Sequence, residues 1–333
     1  MFDNYELRDM PISAKRTLNK VQSFLIANDL SPETLDCYVG LFDGERLVGG
    51  GGTYKNVIKC VAIDQELREQ SLTNKLVSCL RQKIKLQGYG NIFVFTKPMY
   101  KQVFTSLAFY VVGSSSQAIL LESNHYGIDD YAQSLRPYSK NGVSGAVVVN
   151  CNPFTNGHLY LIEQASKLVD FLHVFVVSED LSKFRFDDRL RLVRQGISHL
   201  PNVIVHQGSE YIISAATFPS YFLKDNLIVA RNQMQLDLDI FCKHIAPALN
   251  ITKRFVGSER EIFLCSYNEI MQEVLAKHNI ECKVIERLKL NDKPISASYV
   301  RELFAKNDFE TIKQLVPQST YDFLVSHDAD YAR

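Results

Sequence analysis

From residue 143 to the end of the chain, short apolar runs alternate with segments of helical spacing, and no other feature limits the possible folds so strongly. Runs at 145–150, 173–177, 203–206, 227–230, 254–257 and 283–285 predict strands; 158–169, 187–198, 236–249, 267–277 and 298–306 predict helices. Strands that alternate with helices build a parallel sheet covered on both faces, so an α/β domain of Rossmann type is expected. Its ligand should sit beyond the carboxyl ends of the strands.

Residues 1–122 show a smaller alternation. Two strands flank the turn Asp43-Gly44, a third fits 56–63, and a helix runs from Leu72 to near Gly88. A buried strand over 92–95, a helix over 100–107 and strands over 109–112 and 118–121 follow. This predicts a first α/β domain. The stretch 123–142 is polar and rich in turn formers, including Asn124, Gly127, Pro137 and Asn141, and reads as a linker to a second domain at 143–333. A chain of 333 residues can bury two cores.

Charge narrows the partners. Lys+Arg and Asp+Glu are both 37, a balance that argues against a broad nucleic-acid surface and for a small molecule or a protein. The seven cysteines are scattered without a C-x-x-C pair, which supports neither a disulfide framework nor a zinc site. Asp3, Glu6 and Asp9 are unlike a basic leader, and no apolar run is long enough for a membrane span, so a cytoplasmic protein is expected.

The first apolar run of the second section opens into Asn150-Cys151-Asn152-Pro153-Phe154-Thr155-Asn156-Gly157-His158. The helix that follows carries Leu161, Ile162, Ala165, Leu168 and Val169 on one stripe, which fixes its axis against the sheet and aims its start at the ligand edge. Free N–H groups and the positive dipole end favour phosphate there; Gly157 allows close approach, and Thr155 and His158 supply donors. A second helix start, Ile295-Ser296-Ala297-Ser298-Tyr299-Val300-Arg301, offers serines and an arginine for the same purpose.

In order along the chain, these two elements resemble the paired T/H-x-G-H and I-S-S/A-T/S-x-x-R signatures of the nucleotidylyltransferase superfamily. With V-F-V-V-S-E-D at 174–180, G-S-E-Y-I-I-S-x-A-T-F-P at 208–219 and R-F-V-G-S-E at 254–259, nearly the whole chain resembles the citrate lyase ligase family. That resemblance implies an acid–thiol ligase using ATP, with Mg²⁺, to acetylate the prosthetic-group thiol of the citrate lyase acyl carrier protein, a phosphoribosyl-dephospho-CoA arm. It further implies catalytic roles for His158, Thr155 and Arg301, and nucleotide contacts from Asn152, Pro153, Phe154, Gly157, Ser296 and Ser298. An adenylyltransferase acting on a pantetheine- or mononucleotide-type substrate is the alternative that the two short signatures leave open.

Acetate is ionised at neutral pH, so attack on the α-phosphorus of ATP needs placement and charge stabilisation rather than a base. No residue is assigned to Mg²⁺, which phosphates and water can hold. Thiol attack would gain from a base. Glu210 and His206 are candidates, with a polar loop as the plainer reading of each. Cys151 reads as packed rather than nucleophilic. Lys183, Arg185, Arg189 and Arg191 read as a solvated helix face, the alternative being a site for pyrophosphate or the carrier's phosphorylated arm.

The first section resembles the acetyltransferase fold in Val61-Ala62-Ile63-Asp64 and Phe104-x-x-Leu107-Ala108-Phe109-Tyr110. Its phosphate turn reads Arg68-x-x-Ser71-x-Thr73, where the fold's usual glycines are replaced, so packing or reception of a CoA-like arm is expected of it.

Overall fold

The computed structural model describes the chain except residues 1–4, 68–71, 179–181, 214–217, 219–220, 224, 259–269, 328–330 and 332–333. It divides into two units, one of Met1–Ile128 with Thr217–Asp239, the other of Asp129–Ala216 with Ile240–Arg333. The second section is therefore not one contiguous block. The expected linker also carries structure of its own, because it contains a helix, α4 (Gly127–Leu135).

The first unit holds β1 (Tyr5–Met10), α1 (Lys15–Ala27), β2 (Cys37–Asp43), β3 (Arg46–Tyr54), β4 (Val57–Ile63), α2 (Leu72–Leu86), β5 (Phe93–Thr96), α3 (Lys101–Ser106), β6 (Tyr110–Ser114) and β7 (Ile119–Glu122). Strand order is β1-β2-β3-β4-β5-β7-β6, with β4 and β5 parallel and the other neighbouring pairs antiparallel. One apolar stripe of α2, formed by Leu76, Val77, Leu80 and Ile84, is fully buried with Val39, Ile58 and Val94 of the sheet. Only Val57↔Phe93 and Ile58↔Val94 pair β4 with β5 before the strands part. Tyr221, a residue of the same unit, fills the parting: its hydroxyl donates to the Phe95 carbonyl at 2.8 Å and takes a bond from the Cys60 backbone N–H. Beside it lies a cavity of about 230 Å³ lined by Ala62, Thr73, Thr96 and Lys97. Arg68 and Ser71 of the phosphate-turn reading lie outside the described residues, while Thr73 stands in the first turn of α2.

In the second unit, β8 (Ser144–Val149), β9 (Phe171–Val176), β10 (Val203–Gln207), β11 (Ile251–Gly257) and β12 (Glu281–Ile285) form one sheet in the order β10-β9-β8-β11-β12. Every neighbouring pair is parallel. Among the described residues the sheet has five strands where six are expected, because 227–230 lies in α7 (Asn226–Ile240). A short apolar run suits strand and helix alike. Asp225 decides here, its carboxylate accepting from the N–H groups of Leu227 at 2.7 Å and Ile228 at 3.3 Å as a helix cap does.

Side chains alternate across the sheet. Val147, Val149, Leu172, Val174 and Val176 enter a core shared with α5 (Asn156–Ser166), α6 (Phe186–Gly196), α10 (Ala297–Ala305), α11 (Phe309–Leu315) and α12 (Gln318–Ser326). The other face meets irregular helical segments: the Arg254 guanidinium lies 4.4 Å from the Phe241 ring centre, and Tyr138 stands edge-on to His206 at 5.1 Å. A short helix, α8 (Ala246–Ala248), follows α7, and the helix expected over 267–277 is described at 270–276 as α9. No described helix is long and apolar enough to cross a membrane.

Candidate active site

The chain leaves β8 through the buried residues 151–155 and enters α5 at Thr155. Thr155 caps that helix reciprocally. Its hydroxyl accepts from the His158 N–H at 3.4 Å, and its own N–H donates to His158 Nδ1 at 3.1 Å. A backbone N–H can only donate, so Nδ1 carries the lone pair and the ring proton sits on Nε2. Burial, and after it the charge of Arg287, lower the His158 pKa to about 4, keeping the ring neutral at physiological pH. His158 therefore presents a fixed N–H donor at a helix start. Thr155, 1% exposed, acts through His158 by holding its tautomer.

The second signature closes on the first. Ser296 caps α10, accepting from the Tyr299 N–H at 3.2 Å. Arg301, in the following turn, donates to the Asn152 carbonyl at 2.5 Å and to Ser298 Oγ at 3.0 Å. Those bonds use two of its five N–H groups. Gly157 is where the two helix starts touch: a Cβ placed there would meet the Ile295 carbonyl oxygen at 2.7 Å. The close approach that needs glycine is thus with the backbone entering α10.

The remaining expected residues divide by exposure. The Asn152 side chain is turned to the Phe184 N–H, 3.2 Å from its Oδ1, and holds the loop that follows β9. Pro153 and Phe154 are buried. Phe154 is 0% exposed, lies near-parallel to the His158 ring with centres 6.1 Å apart, and leaves only its backbone to reach a ligand. Ser298 is exposed beside Arg301.

Cys151 is packed as expected, fully buried, with burial pushing its thiol pKa up. His206 does not suit the role of base. It is buried in the sheet face, bonded to His173 with ring nitrogens 2.9 Å apart, and its pKa falls to about 3 through burial and the neighbouring His173. Glu210 is exposed.

Arg189 fits neither reading given to the basic cluster. It is 0% exposed, and its guanidinium donates to the carbonyls of Phe184 at 3.1 Å, Asn150 at 2.7 Å and Val177 at 2.9 Å, and to Asn150 Oδ1 at 2.8 Å. It fastens the exits of β8 and β9 together from beneath. Arg191 pairs with Asp188 at 2.7 Å, and Lys183 lies 5.2 Å from the Phe304 ring centre. A sequence signal for Arg189 existed: it falls on the same helical face as Phe186, Leu190 and Val193, all buried.

The donors suit an anion. A helix N-terminus, a neutral imidazole N–H and a guanidinium converge at the carboxyl edge of a parallel sheet, the arrangement that receives a nucleotide's phosphates. Among the described residues no group of three or more His, Cys, Asp and Glu gathers to hold a metal. A divalent ion here would depend on the phosphates for most of its ligands.

The fold and site define an α/β protein whose parallel sheet carries an anion-suited helix start at its carboxyl edge. The citrate lyase ligase C-terminal domain matches residues 144–324. The chain is 38% identical over 333 residues to citrate pro-3S-lyase ligase of Escherichia coli strain K12, covering 97% of this chain and 95% of that one. It is 39% identical over 317 residues to the Klebsiella pneumoniae enzyme of the same name, covering 92% of each. The chain belongs to the citrate lyase ligase family. Among solved structures it is similar to Thermotoga maritima TmcAL bound with alpha-thio ATP, with 16% identity over 56% of each chain and a TM-score of 0.37.

Proposed function

We propose that the enzyme activates acetate with ATP and passes the acetyl group to the thiol of the prosthetic arm on the citrate lyase acyl carrier protein. In the first step an acetate oxygen bonds to the α-phosphorus and the bond to the β-phosphate oxygen breaks, giving acetyl adenylate and pyrophosphate. In the second, the arm's sulfur bonds to the acetyl carbon, the carbon–oxygen bond to AMP breaks, and the thiol proton leaves to solvent or a base. Mg²⁺ would accompany the triphosphate and neutralise part of its charge.

One observation carries the reading: His158 is held as a neutral Nε2–H donor at the start of α5, in the same site as Arg301. His158 and the α5 N–H groups hold phosphate oxygens as charge builds on them, and Arg301 pairs with a further oxygen. None of these tasks removes a proton from the acid, in keeping with a substrate already ionised. For the N-terminal unit, the strand parting filled by Tyr221 supports a packing role.

Acetate-dependent exchange of labelled pyrophosphate into ATP tests the first step. Exchange that ignores acetate and responds to a pantetheine-type or mononucleotide substrate would instead favour adenylyl transfer. His158→Ala should cut exchange by about a thousandfold, the scale of losing one preorganised donor to a developing charge. Near-normal exchange by that variant would remove His158 from the mechanism.

A further inference from the structure

In the first unit, β4 and β5 pair only as far as Ile58↔Val94 and then diverge. Tyr221 closes the middle of the parting, and the cavity of about 230 Å³ lies beside it. Alternation along β5 sets its two sides. Val94 and Thr96 face α2, whereas Phe95 faces the other way and meets Phe218 edge-on at 5.9 Å, with Phe222 a further 6.3 Å from Phe218.

Val61, Val94, Phe104 and Phe222 give the cavity an apolar wall. Four polar side chains line it as well: Thr96, Lys97, Tyr100 and, in the first turn of α2, Thr73. Thr96 is 9% exposed, and among the described residues nothing bonds to its hydroxyl. The hydroxyls of Thr73 and Tyr100 and the ammonium of Lys97 are equally without partners there. Buried hydroxyls are normally bonded, so an unbonded one beside a cavity and a free lysine points to a ligand that supplies the acceptor. Lys97 and the positive end of α2 favour an anion as that acceptor. Size limits the rest. A cavity of about 150 Å³ holds one benzene ring, so this one holds on the order of nine heavy atoms, enough for a carboxylate with about six carbons and too few for a whole pantetheine arm.

We propose that this cavity binds a short-chain aliphatic monocarboxylate, its oxygens on Lys97 and Thr96 and its chain against Val61, Val94 and Phe104. The bound acid links β5, α2 and the 221–222 segment through one molecule, and so stabilises the first unit as it binds.

Ligand-observed NMR titration of the full chain with straight-chain acids from acetate to octanoate tests the site. Affinity should rise about fourfold with each methylene, the scale of burying one such group, and fall once the chain outgrows the cavity. Thr96→Val keeps the side chain's shape, so it should weaken hexanoate binding about fivefold without lowering the urea midpoint, because no bond within the protein is lost. Lys97→Met should weaken it about tenfold, the scale of one charge-assisted hydrogen bond. His158→Ala, in the other unit, should leave it unchanged, which separates this site from any acid held for activation by ATP. Affinity that ignores chain length, equally tight binding of hexanamide, or loss of binding in His158→Ala would overturn the proposal. So would hexanoate binding within about twofold of the parent in both Thr96→Val and Lys97→Met, a change too small for a lost hydrogen bond to the ligand. Displacement of hexanoate by pantetheine at comparable affinity would overturn it too, since the cavity would then admit the longer arm. Should Lys97→Met lower the urea midpoint, Thr96→Val and the hexanamide comparison decide.

Discussion

Gly157→Ala isolates the contact that joins the two signatures, because it adds one methyl and removes no donor. The new Cβ would stand 2.7 Å from the Ile295 carbonyl oxygen, at least about 0.7 Å inside an ordinary contact. That oxygen is backbone and cannot swing aside as a side chain would. Its residue adjoins Ser296, the cap of α10, so relief of the clash must separate the starts of α5 and α10.

Two effects on stability oppose each other. Alanine favours a helical position over glycine by up to about 1 kcal/mol, while overpacking costs about 1–3 kcal/mol. The net destabilisation should stay near 2 kcal/mol or less, about what one cavity-neutral core change costs. Activity should respond far more, since a displacement approaching 1 Å between groups that share a transition state can cost about a hundredfold. We expect exchange slowed by about two orders of magnitude in a protein whose urea midpoint has moved only modestly. Exchange within threefold of the parent would show that the carbonyl yields without moving α10, and the proposed coupling would be wrong.

The buried His173–His206 pair should give the fold an acid limit. Both rings have pKa values lowered by burial, to about 4 and about 3, against about 6.5 for an unfolded histidine. The unfolded chain therefore binds more protons as pH falls below 6.5. Stability present above that value is lost toward pH 4, by about 2 kcal/mol for each histidine at pH 5. Denaturation midpoints across pH 4.5–7.5 should slope accordingly, and the slope should flatten in a His173→Phe, His206→Phe double variant; an unchanged slope in that variant would assign the sensitivity elsewhere. Arg189→Met would leave the carbonyls of Phe184, Asn150 and Val177 without this donor, a loss of about 3 kcal/mol or more by urea unfolding. A loss below about 1 kcal/mol would mean that water replaces the guanidinium there.

The parallel sheet was legible because its strands are bounded by turn formers and followed by helical spacing, and β8 to β10 stand within two residues of their expected limits. The 227–230 run failed for a local reason. Leu-Ile-Val-Ala satisfies strand and helix alike, and the deciding signal was the capping Asp225 just before it. The site's residue types were also readable, since phosphate at a helix start calls for threonine, serine, histidine and arginine. Their tasks were less so. Thr155 and Asn152 look like ligand contacts in the sequence, yet their side chains hold His158 and the Phe184 N–H. Arg189 looked solvated because charge usually is, while its burial depends on the carbonyls of Asn150 and Val177, distant in sequence, as well as on nearby Phe184.

The two helix starts bring like partial charges together, the positive ends of α5 and α10, with Arg301 between them. The arginine donates to the Asn152 carbonyl and Ser298, both already part of the signatures. An anion entering the site would complement all three positive groups at once, and by linkage would stabilise the folded chain as well as bind to it. Neither signature accomplishes this alone. The turn after β8 supplies the neutral donor and the α10 start supplies the charge, while Gly157 sets how closely they meet. This division explains why a pairing of two weak motifs, 140 residues apart in the chain as Gly157 and Ala297 are, carries more information than either by itself.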